Sequence, residues 1–367
     1  MVDKIGIGII GCGAIFPAYV KGIRPFPFLD LRAIADMDMT RAKEQAEGFE
    51  ISQALSVEEL LQDPDIEIVV NLTVPQAHAP INIAALKAGK HAYCEKPLGL
   101  TRDEVVESVA VAEAQGLRIG SAPDTFLGGG IQTARKAIDD GLIGEPVAAT
   151  AFWLSHGHES WHPSPAFYYL KGGGPVFDMA PYYLTALVNL LGPAKRVSGS
   201  TAITFSTRTI TSEPLKGTVV PVEIPTHVAG TVDFASGAIA SVMVSFDVWA
   251  NNLPRIEVHG TKGSLSVPDP NTFCGEVKFK GPDCEEWTVV ESTHRDDVGR
   301  GIGVADLAMA IRSGRKHRAN GNVAAHVVDI MQAFEESSDS GRHIELTTRC
   351  EQPSALPANL AEGEMDR

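Results

Sequence analysis

Long apolar runs are missing from this chain. No stretch reaches the roughly 18 residues that a membrane-spanning helix needs, so no membrane insertion is expected. A basic start followed by an apolar segment and a small-residue cleavage site is missing too. Met1-Val2-Asp3-Lys4-Ile5 runs directly into a strand-like segment, which predicts no secretory leader and a cytoplasmic location. Cysteine is scarce: Cys12, Cys94, Cys274, Cys284 and Cys350 are scattered, odd in number and never form a CxxC pair. That spacing excludes a disulfide framework and a structural zinc site, and predicts reduced thiols. Positive charge is also short. The formal net charge is −15, and no basic cluster exists to meet a phosphate backbone, so no nucleic-acid partner is expected. Arg312 to Arg318, the most basic short stretch, reads as a solvated helix end and turn. The acidity predicts solubility and says nothing of substrate.

What is present is enough for two domains: 367 residues, 44% hydrophobic and 21% charged. Over residues 1–123, strand-like runs (Ile5–Ile10, Leu31–Ala35, Glu67–Leu72, His91–Cys94) alternate with helix-like ones (Arg41–Gly48, Val57–Leu61, Ile81–Ala88, Arg102–Gln115). This alternation predicts a doubly wound parallel α/β sheet of the Rossmann type. Gly89 and Gly116 follow helical runs where a left-handed residue closes a helix. From 124 to 350 the texture changes to strand-like runs spaced as an antiparallel meander (Val147–Phe152, Val228–Phe234, Ala238–Phe246, Ile256–His259, Ser264–Val267). Two helices, near Asp178–Leu191 and Val304–Arg312, are expected to cover it, giving an α+β domain with an open, mostly antiparallel sheet. Residues 351–367 read as a polar, poorly ordered tail.

The first strand runs into Gly11-Cys12-Gly13-Ala14-Ile15-Phe16. Gly11 permits a tight strand-to-helix turn, and Gly13 lets backbone approach a pyrophosphate facing the helix N-terminus. Phe16 stands at the third glycine position, so the glycine pattern alone is incomplete. Context strengthens it. Asp36, 23 residues beyond Gly13, ends the second strand, where a carboxylate accepts the adenosine ribose hydroxyls. Asp36 and Asp38 would repel a 2′-phosphate, which favours NAD over NADP.

A second motif is more specific. Glu95-Lys96-Pro97 closes a late strand about 80 residues after the glycine loop. Thr73-Val74-Pro75 with His78, Gly172-Gly173-Gly174-Pro175 leading to Asp178 and Tyr182, and His259-Gly260-Thr261-Lys262-Gly263 accompany it. Together these resemble the glucose–fructose oxidoreductase / inositol dehydrogenase (Gfo/Idh/MocA) family over nearly the whole chain. The resemblance implies a homodimer or homotetramer joined through the C-terminal sheet, with substrate held between the domains. It also implies that Lys96 is catalytic and that Asp178 and Tyr182 complete the polar site. Thr73, Pro75, His78, Glu95 and Lys96 join Gly11, Gly13, Ala14, Ile15 and Asp36 in the expected cofactor set. Where Tyr182 stands, the inositol dehydrogenase branch usually has histidine.

Oxidising an alcohol needs a base for the hydroxyl proton as hydride leaves carbon. A lysine serves if burial and a positive nicotinamide lower its pKa toward neutrality. Asp178 and Tyr182, four apart, share one face if helical. Alternatively, Lys96 is a surface residue paired with Glu95, and Asp178 and Tyr182 are a cap and a packing residue. His156-Gly157-His158-Glu159-Ser160-Trp161-His162 lacks HExxH spacing and carries glycine, so a loop is expected and not a metal site. Trp161 could offer a flat face to a sugar ring, with His158 and His162 meeting its hydroxyls. The alternative is plain loop packing. Asp124 and Phe126 are expected near substrate or nicotinamide by the same resemblance. The expected function is NAD-linked oxidation of a small sugar, such as a pentose aldose giving a lactone, or of a cyclic polyol. Two rivals are a non-catalytic dinucleotide-sensing regulator, which would not need Lys96, and an enzyme for a non-sugar carbonyl or dihydrodiol.

Overall fold

A computed structural model describes residues 4–358 and 360–367. Residues 1–3 of the N-terminal reading lie outside the described residues. In the first half the order is β1 (Ile5–Ile10), α1 (Phe16–Ile23), β2 (Leu29–Ala35), α2 (Met39–Gly48), β3 (Gln53–Leu55), α3 (Val57–Gln62), β4 (Ile68–Asn71), α4 (Pro75–Lys87), β5 (His91–Cys94), α5 (Arg102–Ala114) and β6 (Ile119–Ser121). The strands form one parallel sheet in the order β3-β2-β1-β4-β5-β6. Every residue of β1 and β4 is buried, as expected for central strands with helices on both faces. Gly89 (φ +79°) and Gly116 (φ +64°) take left-handed conformations just beyond α4 and α5. Helix α4 begins six residues earlier than the sequence suggests. Pro75 occupies its first position, where no amide is needed, and Pro80 is accommodated inside.

The second half contains α6 (Gly129–Asp139), β7 (Pro146–Leu154), α7 (Gly174–Asp178), α8 (Ala180–Leu191), β8 (Ala194–Ala202), a small hairpin of β9 (Thr207–Thr209) and β10 (Val219–Pro221), β11 (His227–Phe234), β12 (Ile239–Ser245), β13 (Ile256–Gly260), β14 (Gly263–Val267), β15 (Lys278–Lys280), β16 (Thr288–Val289), α9 (Ile302–Ser313), α10 (Gly321–Ser340) and β17 (Ile344–Glu345). Nine strands order as β16-β15-β14-β13-β7-β12-β11-β8-β17. The sheet is mostly antiparallel but not a simple meander, because β7 pairs parallel to β12. Parallel neighbours need a crossover, and the long excursion through α7 and α8 begins it.

Further expectations are corrected. Helix α9 packs on α1 and β6, not over the sheet. Helix α10, absent from the sequence reading, lies between α5 and β8, although its Asn320 cap and Gly341 stop are legible signals. Nor is the tail loose. Leu356 and Met365 are buried, the Leu356 amide donates to Gln132 (2.7 Å), and Asp366 pairs with Arg318 (2.8 Å). Arg318 is therefore buried, not part of a solvated turn. Its guanidinium sits between Asp306 and Asp366. Among the described residues, no helix is long and apolar enough to cross a membrane.

Candidate active site

At the end of β1 the chain turns through Gly11 at φ +101°. A Cβ there would come within 2.7 Å of the Leu72 carbonyl, so the close approach of the Thr73 loop requires glycine. Gly13 is the opposite case: a Cβ would meet nothing within 4 Å, and Ala14 beside it is exposed. That open backbone just before α1 forms a cradle with room for a pyrophosphate. Asp36 closes the cradle from β2. Its two oxygens accept from the Cys12 amide (2.9 Å) and the Asp38 amide (2.9 Å), so acid and glycine loop form one unit. Arg41 stands 3.7 Å from Asp36 and 3.6 Å from Asp38, partly offsetting their charge. These residues fit a dinucleotide. Gly13→Ala is expected to leave folding stability within about 0.5 kcal/mol while weakening dinucleotide binding by roughly tenfold or more. Calorimetric titration beside a melting curve checks both halves, and unchanged affinity would remove Gly13 from the site.

Around this cradle the expected residues divide. Thr73 and Pro75 flank it, with Thr73 Oγ1 donating to Asn71 (2.7 Å). His78 is buried, and its ring nitrogens face the carbonyls of Pro97 (2.6 Å) and Thr73 (3.0 Å). It braces the two loops and is not exposed for a cofactor contact. Glu95 likewise has both oxygens engaged, by the Tyr19 hydroxyl (2.9 Å) and the Lys96 amide (2.8 Å). Its carboxylate fixes the backbone that carries Lys96.

Lys96 follows the carboxyl end of β5, the edge where open α/β sheets bind ligands. Its ammonium donates to the Asp178 carbonyl (2.7 Å) and to Asp178 Oδ1 (3.0 Å). An ammonium has three donors, so one remains for a substrate oxygen. The other Asp178 oxygen, Oδ2, faces His158 Nε2 at 2.8 Å. Lys96, Asp178 and His158 thus form one chain between the domains. Burial would raise the Asp178 pKa, but Lys96 and His158 outweigh it and hold the carboxyl at about 2. The lysine does not follow the expected descent. Burial pulls its pKa down, yet Tyr182, Asp178 and Glu95 together leave it above the ordinary lysine range. A positive ring bound beside it would act in the lowering direction.

Tyr182 is buried on α8, with Lys96 Nζ 5.2 Å from its ring centre. Burial pushes its hydroxyl pKa up, so the phenol is neutral. His158 is caged by Tyr168 (4.1 Å between ring centres), Phe246 (4.8 Å) and Trp161 (5.0 Å). Trp161 is 61% exposed at the outer edge of this cage. The half-buried His162 ring accepts from the Ser164 amide (3.0 Å) and packs against Tyr168 (5.3 Å). His156 turns away and stacks on Trp249 at 3.4 Å. Among the described residues, no group of three or more histidine, cysteine, aspartate or glutamate side chains is placed to hold a metal.

Asp124 and Phe126 are corrected. Both are buried, Phe126 in the hydrophobic core. Asp124 Oδ2 accepts from the amides of Gly301 (2.7 Å) and Gly303 (3.0 Å), anchoring the start of α9. Sequence reasoning also missed residues. Arg300 Nη2 donates to the Tyr182 hydroxyl (3.2 Å) from 118 positions away, and no local pattern signals it. The buried Arg208–Glu159 pair (2.8 Å) bolts the His158 loop to the β9–β10 hairpin. Tyr169 adds to this bolt, its hydroxyl donating to Glu159 and accepting from the His158 amide (3.2 Å).

A nucleotide cradle beside a buried lysine–carboxylate–histidine chain defines a dinucleotide-dependent oxidoreductase. Comparison with known proteins agrees. Residues 5–122 match the oxidoreductase family, NAD-binding Rossmann fold, and residues 131–266 match the GFO/IDH/MocA C-terminal domain. Trans-1,2-dihydrobenzene-1,2-diol dehydrogenase of Bos taurus is 28% identical over 75% of this chain and 77% of its own. D-xylose dehydrogenase of Paenarthrobacter nicotinovorans is 23% identical over 83% and 84%. A solved structure of levoglucosan dehydrogenase in complex with NADH and L-sorbose shares the fold, with a TM-score of 0.82, 23% identity and coverage of 95% of this chain and 100% of that one. The chain belongs to the Gfo/Idh/MocA family, and its first domain is an NAD-binding one.

Proposed function

We propose that this enzyme oxidises a hydroxyl of a small sugar, an aldose to its lactone with a pentose as first candidate, or of a cyclic polyol. The observation that carries this reading is the Lys96–Asp178–His158 chain at the carboxyl edge of β5, with one lysine donor left free. Gly11, Gly13, Ala14, Ile15, Asp36, Thr73 and Pro75 would hold NAD, which accepts hydride when bound. Lys96 takes the hydroxyl proton as hydride leaves carbon, and Asp178 orients the amine and carries countercharge. His158, whose Nε2 lies 2.8 Å from Asp178 Oδ2, fixes the carboxylate. Trp161 and His162 form the sugar-facing wall, and their bulk favours a small ring. The outer face of the nine-stranded sheet, on which half-buried Thr150 and Met243 alternate with buried neighbours, joins subunits into a homodimer or homotetramer.

Only neutral Lys96 can accept a proton, and Asp178, Tyr182 and Glu95 hold its pKa high. Sugar oxidation is therefore expected to rise steadily with pH into the alkaline range, and carbonyl reduction, which needs the ammonium, to fall. Initial rates in both directions across pH check this; parallel profiles would remove Lys96 as the proton carrier. The test of the whole reading is NADH absorbance over a panel of pentoses, hexoses, inositols and a dihydrodiol. Turnover only with the dihydrodiol would favour the aromatic cage around His158 as its binding surface. Tight NAD binding without any turnover would indicate a sensing regulator.

A further inference from the structure

We propose that Arg300 is a positioning residue that forces the Tyr182 phenol to donate its hydrogen into the reaction cleft, making Tyr182 the second oxygen-stabilising donor beside Lys96. This rests on the reading of the Lys96 site given above. A guanidinium has donors and no acceptor. Arg300 Nη2 donates to Tyr182 Oη at 3.2 Å, which occupies a lone pair and leaves the phenol hydrogen to point elsewhere. Among the described residues, Arg300 is the one hydrogen-bond partner given to that oxygen. Two cations stand over the ring, with Arg300 Cζ at 5.5 Å and Lys96 Nζ at 5.2 Å from its centre. Both favour negative charge developing on or near the phenol oxygen. Glu95 and Asp178 also face Tyr182, and Glu95, Asp124 and Tyr19 face Arg300, so the charges roughly balance and the cations are not surplus.

Arg300 is held through its Nη2 and its backbone, while its Nη1 is buried without a hydrogen-bond partner among the described residues. Its Nη2 also reaches Asn271 Oδ1 (3.2 Å), and its own carbonyl presses on Gly22 of α1, where a Cβ would approach to 1.9 Å. Asp124 ties down the next residue, Gly301. This gives Asp124 a part in the site without touching substrate. Donors held in advance where charge develops lower a barrier most effectively. During oxidation the substrate oxygen gains alkoxide character as its proton passes to Lys96. Tyr182 then donates a hydrogen bond to that oxygen and keeps its own proton throughout.

The test combines kinetics with a probe that needs no substrate. Arg300→Met is expected to lower kcat about tenfold with sugar KM within about threefold, and Tyr182→Phe about a hundredfold. The double variant should be no slower than Tyr182→Phe alone, since Arg300 acts through that hydroxyl. Arg300→Lys, which restores one donor, should recover most of the loss. In parallel, the chain is labelled with difluorotyrosine, whose lower intrinsic pKa brings ionisation into reach, and Tyr182 is assigned by its loss in Tyr182→Phe. Its fluorine titration midpoint should rise by about one pH unit in Arg300→Met and return in Arg300→Lys. Additive kinetic losses, or an unmoved midpoint, would overturn the proposal. Should the unaltered enzyme turn over no sugar, the sugar reading falls and the fluorine titration still decides the role of Arg300.

Discussion

Lys96→Ala is expected to lower turnover by roughly a hundredfold or more while leaving NAD affinity within about tenfold, the usual scale for losing general acid–base help. The split follows from geometry. The lysine's two engaged donors go to Asp178, on the other domain, and not to the glycine cradle. Its backbone is fixed independently, by Glu95 accepting from the Lys96 amide, so truncating the side chain leaves the loop in place. Asp178 would lose the cation that holds its pKa at about 2, and should then titrate closer to an ordinary carboxyl. Lys96→Arg sharpens the test: the positive charge stays, but a guanidinium does not give up its proton in the working range. Oxidation should fail in both variants. Stopped-flow hydride transfer and NAD titration measure the two quantities separately, and near-normal turnover in either variant would refute the lysine mechanism.

Asp306→Ala is expected to cost about 3–5 kcal/mol of stability, the range for breaking a buried ion pair from one side. Asp306 is fully buried on α9. Its Oδ1 meets Arg318 Nη1 (2.5 Å) and Arg315 Nη2 (2.8 Å), and its Oδ2 accepts from the Arg318 amide. Removing it leaves two guanidinium groups in a poorly solvated pocket where, among the described residues, Asp366 is the remaining carboxylate and backbone carbonyls supply the other acceptors. Because Asp366 belongs to the C-terminal segment, the damage should reach the packing of Leu356 and Met365 as well. Urea denaturation of the variant should show the loss, and adding Arg318→Met should recover part of it by removing one stranded charge. A change below about 1 kcal/mol would mean that water reaches the pocket and solvates the arginines.

The alternation of strands and helices over residues 1–123 was legible because each buried strand is short, apolar and bounded by its own glycine or cap. Gly11, Gly13 and Asp36 could be read because a nucleotide cradle is a local device, made of one turn and the end of the neighbouring strand. Lys96 was legible through its Glu95-Lys96-Pro97 setting, not through any periodicity. Those signals fail where a residue's role depends on distant partners. Glu95 and His78 were expected to meet cofactor, yet both are consumed in bracing loops that the fold brings together. Asp124 and Phe126 lie in the right stretch of chain, but burial turned one into an anchor for α9 and the other into core. The polar residues after Arg349 gave no sign of being held, since the arginines that hold them are tens of positions away.

Sequence alone thus determined the fold class and the NAD-binding character of the first domain, and it singled out a candidate cradle and a candidate lysine, because each is written in contiguous residues with their own backbone demands. The tertiary structure decided how that lysine is charged and which groups surround it. Asp178 comes to Lys96 from 82 positions away, and Arg300 to Tyr182 from 118. An electrostatic environment is a sum over neighbours in space, and no spacing along a chain encodes that sum.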